Sequence, residues 1–346
     1  MNQQWKKHLI GNGAEFEGDV LTSFGNPGRE RRIPPQGDIL CDLSHMGLIS
    51  VSGDDATTFL QNQFTNDITH VTEEKGQLTA WCNPKGRVLA TFVIHKNNDT
   101  YYLSLAADLV EFVLKRLRMY VLMSKVVLED VGQSVIRYGA SGQHIEADWG
   151  LCCKETGLPE QDYDVVSEGH LSVMRIPGDV PRFEVFGEYD QALELWQKLN
   201  VRAAPVNADA WAYQNIAAGI PHVCEASTEA WIPQMLNLQI INGVNFKKGC
   251  FPGQEVVARL KYLGKNKRRI FRMTFATDDV PAIGSLVVTE DGGDAGKVLN
   301  AVMNPNGELE LLAVLKIANA EQPLYLGSKE GAVGTMLALP YVVDEE

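Results

Sequence analysis

The sequence predicts an α+β protein: two α+β units followed by a small C-terminal β-barrel. Three observations predict it. From about Cys41 onward, strand-like and helix-like patterns follow one another without strict alternation. Three β-rich stretches then run in close succession between residues 77 and 105. After Arg269 the pattern changes to short alternating segments punctuated by Gly, Pro and Asp, as in a small barrel. The 346 residues exceed one ordinary domain of about 100 to 200 residues. The expected division is a body over 1–268, itself divided near 134 and not necessarily continuous in sequence, and a barrel over 269–346.

Residues 1–39 read as an irregular lead-in, because Gly-Asn-Pro-Gly and Pro-Pro-Gln-Gly break it. "GLISVSG" (47–53) alternates as a strand does, and Asp54 or Asp55 offers an N-cap to the helix "ATTFLQNQF". Strands are expected at 77–82, 87–95 and 100–105, separated by Asn83-Pro84-Lys85-Gly86 and Asn97-Asn98-Asp99. Val110, Val113, Leu114, Leu117 and Val121 recur at helical spacing within 108–123. A second α+β stretch from about 134 to 200 contains the strand "RFEVFG" (182–187) and the amphipathic helix "YDQALELWQKL" (189–199). A further helix over 207–220 is capped by Asn207 or Asp209 and stopped by Gly219 and Pro221.

Composition excludes a fibrous or disordered chain, with 45% hydrophobic and 22% charged residues. The start lacks the apolar run of a signal peptide, and no stretch approaches the ~20 apolar residues of a membrane span, so a cytoplasmic protein with no membrane partner is expected. Six cysteines without a C-x-x-C pair, and histidines without H-x-x-x-H spacing, suggest neither a metal site nor a disulfide framework. The adjacent Cys152 and Cys153 read as buried or idle thiols.

A net charge of −13 argues against a surface that coats nucleic acid generally. The distribution is uneven. Between Lys247 and Arg269, eight basic residues face the single acid Glu255, a net of +7 over 23 residues. This run fits RNA phosphates, the glutamate tail of a folate, or a solvated linker into the barrel.

Within it, "FKKGCFPGQEVVAR" (246–259) sets one cysteine among lysines and glycines. Pro252 suits the first position of a helix, which places Cys250 just before a helix N-terminus, where an anion is favoured. Lys247 and Lys248 add positive charge beside a thiol whose reactive form is the thiolate. Glu255 and Arg259, four apart, should pair along the helix. Gly249 and Gly253 leave the backbone open to a ligand or form a tight turn. The bland alternative is a buried, inert cysteine. A single cysteine cannot hold an iron–sulfur cluster, which generally takes four thiolates.

These residues carry a resemblance. "LSHMGLISVSGDDATTFLQNQFTNDI", "NPKGR" and "WIPQMLNLQIINGVNFKKGCFPGQEVVARLKYLGKNKRR" are similar to the YgfZ branch, folate-binding and associated with tRNA modification, of the glycine-cleavage T-protein superfamily. The K-G-C-[FY]-x-G-Q-E signature of that branch is present as Lys248, Gly249, Cys250, Phe251, Gly253, Gln254 and Glu255, with Pro252 at the variable position.

The resemblance implies a ring of two α+β units and a β-barrel that binds tetrahydrofolate or a derivative. It implies Cys250 as the functional thiol with Lys248 beside it. It further implies Trp211, Met46, Gln254 and Glu255 as cofactor-binding residues, with Lys247, Gly249, Phe251 and Gly253 supporting the motif. Met46 stands where the branch has a second tryptophan, and a thioether is not an aromatic stacking surface. Expected partners are reduced folate and iron–sulfur enzymes or their assembly proteins, with an effect on tRNA that need not involve direct contact.

A true aminomethyltransferase carries acids where this chain has Ala90 and Thr91, and often a pterin-binding glutamate where it has Ala217. An alanine side chain transfers no proton. A tetrahydrofolate-dependent aminomethyltransferase is therefore the second expectation, with Asp67, Asp42 or Glu225 the carboxylates it would need. A module with no folate and an inert cysteine is the third.

Overall fold

The computed structural model describes residues 1–34, 36–152 and 157–343. Cys153 and the side chain of Cys152 lie outside the described residues. Contacts group the chain into two compact units. The first comprises Met1–Phe59, Thr69–Gln77 and Val93–Gln214, and the second Leu60–Ile68, Leu78–Phe92 and Asn215–Glu346.

In the first unit a six-stranded sheet runs in the order Val165–Glu168, Leu171–Arg175, Arg182–Gly187, Ile136–Ser141, Ile39–Asp42, Ala204–Val206. Every neighbouring pair is antiparallel except the last. Because successive side chains point to opposite faces, one face is apolar and the other polar. Leu40, Tyr138, Ala140, Val173, Phe183 and Val185 form the apolar face and pack with Trp5, Leu9, Leu195 and Trp196. Trp5 stacks on Tyr138 at 5.9 Å and meets Trp196 edge-on at 5.2 Å. On the opposite, more polar face Cys41, Gly139 and Glu184 are paired in line across three strands, with Arg137 opposite Phe186 and Arg182 opposite Ser141.

The lead-in is more regular than its sequence suggests. Helix Gln3–Gly11 is capped by Asn2, whose side chain accepts from the N–H groups of Gln4 and Trp5. Trp5 and Leu9, one turn apart, are both fully buried.

A second sheet has the order Gln77–Cys82, Val88–Asn97, Thr100–Ala106, Met46–Ser52, Val127–Asp130. Helix Val110–Arg118 buries Val110, Val113, Leu114 and Leu117, but it stops five residues before the expected end. Beyond it the N–H groups of Met119, Tyr120 and Val121 bond to carbonyls three residues back, which tightens the chain out of the α-helix.

In the second unit, strands Arg268–Phe275, Leu309–Lys316, Asp294–Met303, Leu286–Thr289, Leu324–Leu326 and Val333–Leu337 form a closed barrel. The last pairs back onto the first, so no strand edge is left open. Its interior is filled by Met273, Phe275, Val287, Val298, Leu311, Ala313 and Leu315. Among the described residues no helix is long and apolar enough to cross a membrane.

Candidate functional site

The segment leading to Cys250 is stitched to residues 61–66. Asn245 N–H donates to the Thr65 carbonyl, Thr65 Oγ1 to the Gly243 carbonyl, and Asn66 Nδ2 to the Asn242 carbonyl, at 3.0, 2.8 and 2.6 Å. Lys248 completes the join. Its ammonium donates to the carbonyls of Gln61, Phe64 and Asn66 at 2.6, 2.6 and 2.9 Å.

These carbonyls lie in the last turn of helix Ala56–Gln63 and just beyond it, where orphan carbonyls and the negative dipole end welcome a cation. Lys248 is 8% exposed, and its burial lowers its pKa to about 8, partly opposed by the charge of Asp67. All three of its N–H bonds are used. Lys248, expected beside the thiol, commits its ammonium to these backbone carbonyls and clamps the segment.

Beyond Cys250, the Gln254 N–H donates to the Phe251 carbonyl at 3.1 Å, closing a four-residue turn with Pro252 and Gly253 at its centre. Gly253 has φ 81° and ψ 2°, the values required at the second central position of a type II turn. Pro252 is therefore the first central residue of this turn, not the first residue of the helix, which spans Gln254–Leu263.

The cause is a close backbone crossing. A Cβ on Gly253 would lie 2.5 Å from the Asn83 carbonyl oxygen and 2.6 Å from Gly86 Cα. Gly86 itself has φ 72°, and a Cβ there would meet Val256 at 3.0 Å. The Asn83-Pro84-Lys85-Gly86 turn and the cysteine motif thus pack directly together through two glycines. Phe251 is buried beneath the turn, with Lys248 Nζ 5.6 Å from its ring centre.

Cys250 sits between these two anchors and is exposed. Gly249 beside it is also exposed, and a Cβ there would meet nothing within 4 Å. Lys247 is exposed, Gln254 Nε2 reaches the Gly249 carbonyl at 3.4 Å, and Glu255 pairs with Arg259 at 2.8 Å as its spacing predicts. Cys41 and Cys82 are the opposite case: burial pushes both thiols far above the ordinary range.

Trp211, on helix Ala208–Ala217, packs on the polar face of the six-stranded sheet and is 3% exposed. A Cβ on Gly139 would lie 2.5 Å from its Cζ3, so only glycine lets the indole reach that strand. The Arg182 guanidinium carbon is 4.3 Å from the ring centre, a cation–π contact. Arg182 Nη1 donates to the carbonyls of Pro177 and Gln214 at 2.9 and 3.2 Å. Burial lowers the Arg182 pKa to about 10, against the charge of Glu184. Glu184 is held by Arg137 at 2.6 Å.

Gln214, one turn from Trp211, donates through Nε2 to Ser141 Oγ at 2.9 Å, while its buried Oε1 has no hydrogen-bond partner among the described residues. Sequence reasoning missed Arg182 and Gln214. A signal existed for the first, since Arg182 and Glu184 are charges at alternate positions of an otherwise apolar strand. Met46 is half-buried and opens a strand of the five-stranded sheet, whereas Trp211 lies on the six-stranded one.

The positions that would bear acids in an aminomethyltransferase are otherwise occupied. Ala90 is fully buried, and Thr91 Oγ1 donates to the Pro221 carbonyl while accepting from Val223 N–H. Asp42 accepts from Trp5 Nε1 and Ser44 Oγ at 2.7 and 2.8 Å, and burial raises its pKa to about 6. Asp67 accepts from Gln61 Nε2 at 3.0 Å, and Glu225 is an exposed residue opening a short 3-10 turn.

Residues 28–142 match the GCVT N-terminal domain family. The chain is 30% identical over 312 residues to the tRNA-modifying protein YgfZ of Yersinia pestis (strain Pestoides F), covering 89% of this chain and 93% of that protein. The same figures hold for the tRNA-modifying protein YgfZ of Yersinia pseudotuberculosis serotype O:3. Among solved structures, the glycine cleavage system aminomethyltransferase T of Bartonella henselae superposes with a TM-score of 0.76 at 16% identity, over 99% of this chain and 98% of that one. The fold is that of the glycine-cleavage T-protein.

Proposed function

This chain belongs to the YgfZ family, and on that premise we propose that it is a folate-binding factor in tRNA modification. In this reading it supports the iron–sulfur enzymes that methylthiolate tRNA, and Cys250 is its functional thiol. The observation that carries the reading is an exposed thiol held between two fixed anchors, the Lys248 clamp and the Gly253–Gly86 crossing. Such fixing presents a nucleophile or ligand in one place without enclosing it.

One thiolate does not hold a cluster. Cys250 therefore acts together with ligands supplied by an iron–sulfur enzyme or assembly protein, and an exposed position is what that requires. Lys247 is the exposed cation of the motif; Lys248, Phe251 and Gly253 keep the thiol in place.

Tetrahydrofolate fits the Trp211 cluster chemically. A pterin presents N–H donors, and Gln214 Oε1 is an acceptor in want of one. Trp211 and Arg182 supply an aromatic edge and a cation; Gly139 makes room for the indole, and the carbonyls of Pro177 and Gln214 hold the guanidinium. When bound, the folate supplies a carrier for a one-carbon unit.

The test is a null strain carrying wild-type protein or Cys250→Ser at matched abundance, read as the level of 2-methylthio-modified tRNA. Restoration by wild type alone is expected. Equal restoration by both would remove Cys250 from the function.

A further inference from the structure

The functional reading leaves unused the basic run that follows the cysteine motif. Its charges are not all available. Lys248 is spent on carbonyls, Arg259 pairs with Glu255, and Arg268 lies 3.4 Å from Asp294. Lys247, Lys265 and Lys267 remain exposed without an ion-pair partner among the described residues, in a protein whose net charge is −13.

Lys261 is also exposed. Its ammonium lies 4.3 Å from the centre of the Phe246 ring, and Tyr262 meets the same ring edge-on at 6.4 Å. Tyr262 is 65% exposed and Leu263 85% exposed, at the end of helix Gln254–Leu263. Unpaired lysines interleaved with an open aromatic ring are the elements with which proteins hold single-stranded nucleic acid. The cations meet phosphates, and unstacked bases lie on the ring.

We propose that Lys247, Lys261, Lys265 and Lys267, with Tyr262 as a stacking platform, form a contact surface for unpaired RNA, the loop of a tRNA stem. The inference rests on the tRNA-modification reading above and adds direct contact to it. A duplex is the poorer fit, since its stacked bases offer no face to Tyr262. The glutamate tail of a folate would use the lysines but has no use for the exposed ring.

The test is fluorescence anisotropy with the purified full-length protein and a labelled 17-nucleotide anticodon stem-loop RNA, at several salt concentrations. The triple variant Lys261→Glu/Lys265→Glu/Lys267→Glu should weaken binding at least tenfold. It should also flatten the plot of log affinity against log salt by about 2, since each single-strand phosphate contact contributes ~0.7.

Tyr262→Ala should cost about fivefold or more, as expected for one lost base stack, with little change in salt slope. The charge-matched control Lys7→Glu/Lys115→Glu/Lys329→Glu, three exposed lysines elsewhere on the protein, should bind as wild type does. Three outcomes overturn the proposal: no RNA binding by the wild type, equal loss in the control, or competition by pentaglutamate that equals the RNA. None of these touches the Cys250→Ser result in cells, so failure here and failure of the functional reading are separable.

Discussion

Around Trp211 the side chains close on one another, while around Cys250 only the flanks are closed. The indole lies on Gly139 with the Arg182 guanidinium over it, and Arg182 is held by two carbonyls. The thiol stands exposed, two residues after a buried clamp and three before a glycine crossing. A buried cluster of this kind gains affinity from being preformed, and it tolerates little change in volume. An exposed group on fixed flanks tolerates a change to the group itself and fails when its flanks move. The two regions should therefore answer mutation in opposite ways.

The largest expected effect is on a flank. Gly253→Val combines a left-handed backbone penalty with a clash against Asn83 and Gly86, together about 3–4 kcal/mol, read as a shift in the urea midpoint. Gly249→Ala, four residues away, should stay within about 0.5 kcal/mol, because a Cβ there meets nothing. Equal losses at both glycines would break the distinction between a packed turn and an open one.

Lys248→Met should follow at about 2–3 kcal/mol, since three carbonyls lose their donor. It carries its own pH signature. The folded-state pKa of about 8 lies below the ordinary lysine value of 10.5, so the unfolded chain holds more protons between those values. Stability of the wild type should therefore gain a rising contribution from about pH 8 to 10.5, and the variant should lack it. Identical slopes for the two proteins would contradict the lowered Lys248 pKa.

Gly139→Ala should displace the indole and cost about 1–2 kcal/mol of stability. The sharper readout is tetrahydrofolate affinity, expected to fall about tenfold, the equivalent of ~1.4 kcal/mol. Unchanged affinity would remove the Trp211 cluster from folate binding. The smallest stability effect is expected at Cys250→Ser, within about 0.5 kcal/mol, because an exposed thiol buries nothing.

Local pattern made much of the fold legible. Strands Gln77–Cys82 and Arg182–Gly187 and helix Tyr189–Leu199 stand where periodicity puts them, because each has one clean apolar face and clear breakers at its ends. Glu255 and Arg259 pair as their spacing requires. What the sequence hid depends on distant partners. Lys248 looks like a neighbour of the thiol until its acceptors at Gln61, Phe64 and Asn66 come into view.

Pro252 suits a helix start equally well until Gly86 is brought under Gly253 and selects the turn. Arg182 becomes part of a site only when helix Ala208–Ala217 lays Trp211 across its strand.

The central claim is that Lys248 holds and Cys250 acts. It is tested by measuring 2-methylthio-modified tRNA per folded molecule in a null strain that expresses Lys248→Met or Cys250→Ser. The account predicts that Cys250→Ser accumulates and melts like the wild type yet leaves tRNA at the level of the null strain. Lys248→Met should be scarcer but restore modification in proportion to its folded amount. Modification restored by Cys250→Ser, or absent from a well-folded Lys248→Met, would contradict it.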